Sequence, residues 1–208
     1  MKILDYLKEN FIYLDGGMGT LLQARRLESG EMPETWNIEY PEVIIDIHRS
    51  YFDAGCNVVL ANTFGANCLK YEEGELRDIV FAAIRNAREA TAVCGGGYVA
   101  LDIGPTGKLL KPLGDLDFED AVEVFAKTVR LGVEAGVDLV FIETMNDSYE
   151  TKAALLAAKG VMTKEDYCRL ENKVYHISET ISPDDVISRK YCEKYEKWRK
   201  LYPALKGI

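Results

Sequence analysis

The chain has 208 residues, a formal net charge of −9 at pH 7 and 48% hydrophobic residues. This length and composition are typical of a folded globular protein and exclude a chain that is disordered throughout. The excess of acids argues against nucleic acid as the main partner. No apolar run approaches the roughly 18 residues that cross a bilayer, and residues 1–10 lack the pattern of a signal peptide. We therefore expect a cytoplasmic protein that binds neither nucleic acid nor membrane.

Charge and cysteine content divide the chain unevenly. Residues 160–208 carry ten Lys and Arg against eight Asp and Glu, so the negative excess falls entirely on residues 1–159. The five cysteines are widely spaced and include no Cys-x-x-Cys pair. That spacing indicates neither a disulfide framework nor a compact zinc module. We therefore expect two parts of different nature.

Four short apolar runs, each followed by a polar residue, recur along the first part of the chain. They are Phe11–Leu14 before Asp15, Val58–Ala61 before Asn62, Tyr98–Leu101 before Asp102, and Leu139–Ile142 before Glu143. The polar residues lie 47, 40 and 41 residues apart, and helical apolar spacing fills the gaps at 43–54, 76–93 and 118–135. Repeated βα units predict a parallel sheet covered by helices, either an open doubly wound sheet or a (β/α)8 barrel.

The polar residues that follow these runs are the candidate site. In both architectures ligands bind at the carboxyl ends of the strands, so Asp15, Asn62, Asp102 and Glu143 are predicted to share one face. A single acid at a strand end is equally well explained as a helix cap, but four such residues in register favour a site. The glycines of Gly16–Gly19 allow close approach of the backbone to a ligand. They do not follow the spacing of nucleotide-binding loops, so nucleotide binding is not expected.

Five segments carry a resemblance to a known family. They are LDGGMGT at Leu14–Thr20, PETWN at Pro33–Asn37, NTFGAN at Asn62–Asn67, DIGPTGKLLKPLGD at Asp102–Asp115, and FIETMND at Phe141–Asp147. In this order they resemble the homocysteine S-methyltransferase family, above all the homocysteine-binding domain of cobalamin-dependent methionine synthase. The likeness covers residues 1–159.

The resemblance implies a (β/α)8 barrel that binds L-homocysteine at its carboxyl face, with residues 1–159 forming about the first four βα units. It implies that Asp15 and Glu143 hold the substrate's ammonium group, which carboxylates bind through charge-assisted hydrogen bonds. No residue is assigned a proton-transfer role. The remaining residues implied to bind substrate are Gly16, Gly17, Met18, Gly19, Asn62, Thr63 and Asp102.

The chemistry that the resemblance implies is methyl transfer to the homocysteine thiolate, giving methionine. In the nearest relatives methylcobalamin is the donor, so a cobalamin-binding domain or protein is an implied partner. The family holds the thiolate on a zinc ion bound by three cysteines. This sequence contains no Gly-Gly-Cys-Cys segment, and we expect no metal ligands in it. Two alternatives to an enzyme therefore stay open, a non-catalytic homocysteine-binding fragment and a non-functional truncated fusion product.

The second part of the chain, residues 160–208, is predicted to be an unrelated and mainly helical tail. Its segment YEKWRKLYPALK at Tyr195–Lys206 resembles the C-terminus of xylulokinase-type sugar kinases. A barrel truncated to four strands has two open edges, which favour pairing with another chain. A homodimer through those edges is expected.

Overall fold

The computed structural model describes residues 3–6 and 8–160, and the predicted tail at 161–208 lies outside the described residues. The helices are α1 (Ile3–Tyr6), α2 (Met18–Ala24), α3 (Trp36–Glu39), α4 (Pro41–Asp53), α5 (Glu73–Val93), α6 (Phe118–Ala135) and α7 (Ser148–Ala158). The strands are β1 (Val58–Leu60), β2 (Tyr98–Ile103) and β3 (Leu139–Ile142), and a 3₁₀ turn spans Pro33–Thr35. No helix in these ranges has the length and apolar character needed to cross a membrane.

The three strands form a parallel sheet in the order β1, β2, β3. Each connection passes through a long helix, α5 between β1 and β2 and α6 between β2 and β3. A parallel sheet with helical crossovers is the α/β class predicted from the sequence, and that class is confirmed.

The first predicted strand, Phe11–Leu14, is not a strand in the structure. It contributes one isolated parallel bridge between Leu14 and Val58, supported by the Asn57 N–H, which donates to the Tyr13 carbonyl at 2.8 Å. Phe11 and Tyr13 are 83% and 62% exposed. Because these side chains lack apolar burial, the segment is held mainly by hydrogen bonds, including those from the Tyr13 N–H to Asn57 Oδ1 at 3.0 Å and from the Asp15 N–H to the Val58 carbonyl at 3.1 Å.

The core lies between the sheet and the helices that cover it. Leu76, Ile79, Val80 and Ala83 of α5 recur at helical spacing and are all buried, as the apolar pattern predicted. Helix α6 approaches β2 closely at Gly132, where a Cβ would lie 2.6 Å from Leu101 Cδ2. Each crossover helix is thereby held against the sheet, which fixes where the strand ends lie.

Candidate functional site

A cavity of about 260 Å³ lies at the carboxyl ends of the strands. The structure brings the four strand-end residues Asp15, Asn62, Asp102 and Glu143 together in its wall. The cavity therefore presents three carboxyl groups and one amide at the end of the sheet where parallel α/β proteins bind ligands.

Seven of the nine residues predicted to bind substrate line this cavity, namely Asp15, Gly16, Gly17, Met18, Asn62, Asp102 and Glu143. Gly19, the second residue of helix α2, does not line it, although Met18 at the start of that helix does. Thr63 does not line it either and is fully buried. The role of the seven in substrate binding stays a prediction.

Asp15 is fixed by the neighbouring strand. The backbone N–H of Leu60 donates a hydrogen bond to Asp15 Oδ2 at 2.9 Å. Burial raises the pKa of Asp15 to about 7, and the charge of Glu143 adds to the rise. A carboxyl group with that pKa changes its charge near neutral pH.

The glycine loop after Asp15 packs directly against helix α4. A Cβ on Gly16 would lie 2.9 Å from the Tyr51 hydroxyl, which donates a hydrogen bond to the Gly17 carbonyl at 3.3 Å. Only a residue without a side chain fits at position 16 unless Tyr51 moves. The loop therefore places its backbone in the cavity wall.

Asp102 is the most buried of the three acids and lies at the end of the central strand. Its side chain is 7% exposed, and its Oδ1 is buried with no hydrogen-bond partner. Burial raises the pKa of Asp102 to about 8, with further contributions from Glu143, Asp15 and Glu34. Asp102 thus favours the protonated form at neutral pH.

Glu143 enters the cavity from β3 and is half-buried. Its backbone N–H donates to the Ile103 carbonyl at 3.1 Å, which extends the ladder between β2 and β3 by one residue. The next residue, Thr144, has φ +53°, a left-handed conformation that is strained for a β-branched side chain. Such strain is concentrated at functional sites, and here it turns the chain sharply just after the acid.

The rest of the cavity wall is apolar and was not predicted from the sequence. These residues are Leu14, Leu60, Ala61, Phe64 and Phe141. Leu14, Leu60, Ala61 and Phe141 belong to the apolar runs that precede the polar residues, whereas Phe64 lies two residues after Asn62. Gly104 makes room for Phe64, since a Cβ there would lie 2.5 Å from the Phe64 ring.

The PETWN segment, Pro33–Asn37, is joined by hydrogen bonds to the loop that follows β1. The Asn37 side-chain amide donates to the carbonyls of Glu34 and Asn62, both at 2.8 Å. Glu34 is 4% exposed and accepts hydrogen bonds from the Gly65 N–H at 2.6 Å and the Tyr71 hydroxyl at 2.9 Å. This network anchors the loop that carries Asn62.

The described residues do not fit a zinc ion held by three cysteines. Cys56 and Cys94 precede the amino ends of β1 and β2, whereas the acids follow the carboxyl ends. Of the three, only Cys68 follows the carboxyl end of a strand, β1. In the described ranges no group of three His, Cys, Asp or Glu residues is arranged to hold a metal ion. Cys168, Cys192 and His176 lie outside the described residues.

The fold and the cavity define an α/β protein with an acid-lined ligand site at the carboxyl ends of a parallel sheet. The family model for homocysteine S-methyltransferase matches residues 12–201. The chain therefore belongs to the homocysteine S-methyltransferase family. The match extends beyond residue 159, and the predicted boundary between the two parts stays a prediction.

Curated relatives include the methionine synthases of Mycobacterium tuberculosis (strain ATCC 25618 / H37Rv) and Mycobacterium leprae (strain TN), each 30% identical over 176 residues. These matches cover 78% of this chain but only 15% and 14% of the relatives. The chain thus spans about 15% of the length of the curated relatives it matches.

Similar solved structures include two forms of the homocysteine methyltransferase MmuM from Escherichia coli. The metallated form has a TM-score of 0.62 at 24% identity and covers 76% of this chain and 62% of that chain. The oxidized form has a TM-score of 0.62 at 23% identity and covers 74% of this chain and 61% of that chain. These likenesses show a shared fold.

Proposed function

We propose that the acid-lined cavity binds L-homocysteine and that the chain serves methyl transfer of the methionine synthase type. The observation that carries the proposal is the convergence of three carboxyl groups on one cavity of about 260 Å³ in a member of this family. Three carboxyl groups in one small apolar-walled space resist ionising together, and a bound cation favours their charged forms. An amino acid supplies such a cation as its ammonium group.

Asp15 and Glu143 are proposed to hold the ammonium group through charge-assisted hydrogen bonds. The Leu60 N–H orients the Asp15 carboxylate for this contact. Phe64 and Phe141 are proposed to pack on the substrate's methylene groups and to exclude water from them, since both line the same cavity.

The reaction we propose for the intact enzyme is methyl transfer to the homocysteine thiolate, giving methionine. Methylcobalamin is the proposed donor, with a cobalamin-binding domain or protein as partner, because the curated relatives are named methionine synthases. Zinc belongs to the family mechanism that the resemblance implies, but we assign no step to it because the described residues do not fit it.

The finer architecture is also a proposal. We propose that residues 1–159 form about the first four βα units of a (β/α)8 barrel and that residues 160–208 are a separate part of the chain. The likeness to MmuM and the parallel order β1, β2, β3 support it. A truncated barrel and a homodimer through its open edges stay predictions, and sedimentation velocity measures the oligomeric state directly.

A second candidate is a homocysteine-binding fragment without catalytic activity. The observation that favours it is that the three cysteines of the described ranges do not converge at the carboxyl face. Methyl transfer from methylcobalamin by the metal-replete chain separates the enzyme from the binding fragment. A folded chain that binds no homocysteine would instead support a non-functional fusion product.

Isothermal titration calorimetry with L-homocysteine tests the proposal. We expect saturable binding by the wild-type chain and a loss of affinity of at least tenfold in Asp15→Ala. Asp46→Ala is the matched control, because Asp46 is an exposed acid paired with Arg25 on the surface of α4. Equal affinity in all three proteins, or no binding by the wild type, would contradict the proposal.

A further inference from the structure

Two cysteines lie in neighbouring turns at the amino end of the sheet, at the opposite end from the cavity. Cys56 lies between α4 and β1, and Cys94 lies between α5 and β2. These strands are adjacent and parallel, and the Tyr98 N–H at the start of β2 donates to the Asn57 carbonyl at 2.9 Å. Because Cys56 directly precedes Asn57 and Cys94 lies four residues before Tyr98, the two turns run side by side.

The Cys94 thiol is directed toward the turn that carries Cys56. Its Sγ donates to Oδ1 of Asp53 at 3.9 Å. Asp53 is the last residue of α4, and Cys56 follows it by three residues. Cys68, the other cysteine of the described ranges, lies beyond the carboxyl end of β1. Cys56 and Cys94 are therefore the two described cysteines that share one end of the sheet.

The electrostatics of Cys56 also indicate that the two sulfurs are near each other. Burial raises the pKa of the Cys56 thiol to about 11, and the charges of Asp15 and Cys94 add to the rise. Charge effects on a pKa weaken with distance, so the contribution of Cys94 agrees with the contact between Cys94 and Asp53. Both thiols are only partly buried, and a small reagent can reach them.

The turn after Cys94 is able to adjust. A disulfide requires two Cβ atoms about 3.5–4.5 Å apart, so neighbouring cysteines commonly shift when they form one. Gly95, Gly96 and Gly97 follow Cys94 with φ values of +83°, +129° and +152°. Glycine moves among such conformations without a steric penalty from a side chain. Cys94 can therefore move toward Cys56 while β2 stays in place.

We propose that Cys56 and Cys94 are an oxidation site, at which a low-molecular-weight disulfide such as oxidised glutathione converts the two thiols into one reversible intramolecular disulfide. The bond joins the turn after α4 to the turn after α5. It forms at the opposite end of the sheet from the acid-lined cavity. The inference goes beyond the proposed function and does not depend on homocysteine binding, so either can fail without the other.

The reaction consists of two thiol–disulfide exchanges. One cysteine thiolate attacks a sulfur of oxidised glutathione, the S–S bond breaks, and one glutathione thiolate leaves. The other cysteine thiolate attacks the protein-bound sulfur and releases the second glutathione. The two protein thiols lose two protons and two electrons, and oxidised glutathione is reduced to two molecules of glutathione. Because little of Cys56 is thiolate at neutral pH, the reaction is slow there and faster at higher pH.

Peptide mapping of the full chain tests the inference. The reduced protein is incubated with oxidised glutathione at about pH 8. Free thiols are then blocked with N-ethylmaleimide, and the protein is digested with trypsin without reduction. Cleavage gives two peptides, Ser50–Lys70 with Cys56 and Glu89–Lys108 with Cys94, and the cysteines of residues 161–208 fall in other peptides. Mass spectrometry identifies the peptides that are joined.

The variant Cys68→Ser is the matched control, because Cys68 shares its tryptic peptide with Cys56. We expect one crosslink between the two peptides in wild type and in Cys68→Ser, which dithiothreitol removes and which Cys56→Ser and Cys94→Ser lack. A crosslink that persists in Cys56→Ser or disappears in Cys68→Ser would overturn the inference, because Cys68 would then be the partner. Free thiols or separate glutathione adducts at the two cysteines would overturn it as well.

Comparison with the unfolded chain gives a second test that needs no variant. In urea the five cysteines pair without guidance from the fold, whereas the native turns hold Cys56 near Cys94. Among all crosslinks formed, the share that joins these two should be about fivefold larger in the folded chain than in urea. An equal share would overturn the inference. A crosslink confined to disulfide-linked dimers on a non-reducing gel would overturn it too, since the proposed bond is intramolecular.

Discussion

The hydroxyl of Thr63 donates a hydrogen bond to the backbone carbonyl of Asp102 at 2.9 Å and accepts one from the Asp102 N–H at 3.1 Å. Thr63 lies 39 residues before Asp102 and is fully buried. This exchange holds the end of the central strand against the loop that follows β1. Thr63 therefore contributes to the site by fixing the backbone of Asp102.

Replacing Thr63 with valine should cost both stability and ligand affinity. Valine keeps the shape of threonine but leaves the two backbone groups of Asp102 without these bonds, so the free energy of unfolding should fall by about 1–3 kcal/mol. L-homocysteine affinity should fall as Asp102 shifts. Urea denaturation and calorimetry measure the two effects.

Thr128→Val is the matched control for Thr63→Val. The Thr128 hydroxyl is buried and donates to the Ala66 carbonyl at 3.0 Å, but Thr128 does not line the cavity. It should lose comparable stability and keep wild-type affinity. If both variants lose affinity equally, the effect is general destabilisation and the assigned role of Thr63 is wrong.

Ligand affinity should depend on pH through Asp15. Its pKa is raised to about 7, so it becomes protonated as the pH falls from 8 to 6 and can no longer attract an ammonium group. We expect L-homocysteine affinity to drop about tenfold over that range in wild type. Asp15→Asn should bind weakly at both pH values with a flat profile, measured by calorimetry. An identical pH profile in the two proteins would count against Asp15 as the ammonium partner.

His48 should make the folded state sensitive to acid. It is fully buried in α4, neither ring nitrogen has a hydrogen-bond partner, and burial lowers its pKa to about 4. Between pH 6.5 and pH 4 the unfolded chain binds a proton that the folded chain does not. The stability that His48 contributes is therefore present above pH 6.5 and is lost as the pH falls toward 4.

The comparison of wild type with His48→Leu isolates this effect. From pH 7 to pH 5, wild type should lose about 2 kcal/mol of unfolding free energy relative to the variant. Asp15 and Asp102 titrate in both proteins and cancel. Guanidinium denaturation at the two pH values gives the difference, and a difference near zero would mean that the buried imidazole gains a partner on protonation.

Gly104→Ala should disturb the cavity through Phe64. A Cβ at position 104 would lie 2.5 Å from the Phe64 ring, so the ring must move from the cavity wall. We expect a loss of about 1–3 kcal/mol in stability and weaker L-homocysteine binding. Gly132→Ala is the control, because its Cβ would meet Leu101 in the core instead. Wild-type affinity in Gly104→Ala would show that Phe64 does not contact the ligand.

Much of the fold followed from apolar periodicity. Helix α6 spans Phe118–Ala135, the range that the pattern predicted, and β3 matches its predicted range Leu139–Ile142. Gly55 and Gly136, which follow the helical patterns at 43–54 and 118–135, have φ values of +100° and +90°, the left-handed conformation in which glycine commonly ends a helix. These features depend on local spacing and burial, which a sequence displays directly.

Contacts between distant residues could not be predicted in the same way. The hydrogen bond between the Thr63 hydroxyl and the Asp102 backbone joins the loop after β1 to the end of β2. Whether these two segments lie side by side depends on the register in which β1 pairs with β2. The network around Asn37 likewise depends on where a 3₁₀ turn meets the loop after β1. Apolar spacing carries no information about either contact.

In the candidate site, too, some features were predicted from the sequence and others were not. The acids at strand ends were predicted because parallel strands end at one edge of the sheet. The aromatic wall formed by Phe64 and Phe141 was not, since an apolar residue at a strand end has the same pattern whether it faces a core or a cavity. Gly19 was grouped with its neighbours, yet the cavity wall ends at Met18, the first residue of helix α2.

The most direct test of the account is an NMR titration of L-homocysteine into the ¹⁵N-labelled chain at pH 7.5. Binding in the acid-lined cavity predicts saturable shifts of the amides of Gly16, Gly17 and Leu60, with the amide of Cys94, beyond the amino end of β2, unchanged. Asp15→Asn should remove those shifts while keeping the folded spectrum. A folded chain whose cavity amides do not respond, or whose shifts concentrate around Cys94, would contradict the central claim.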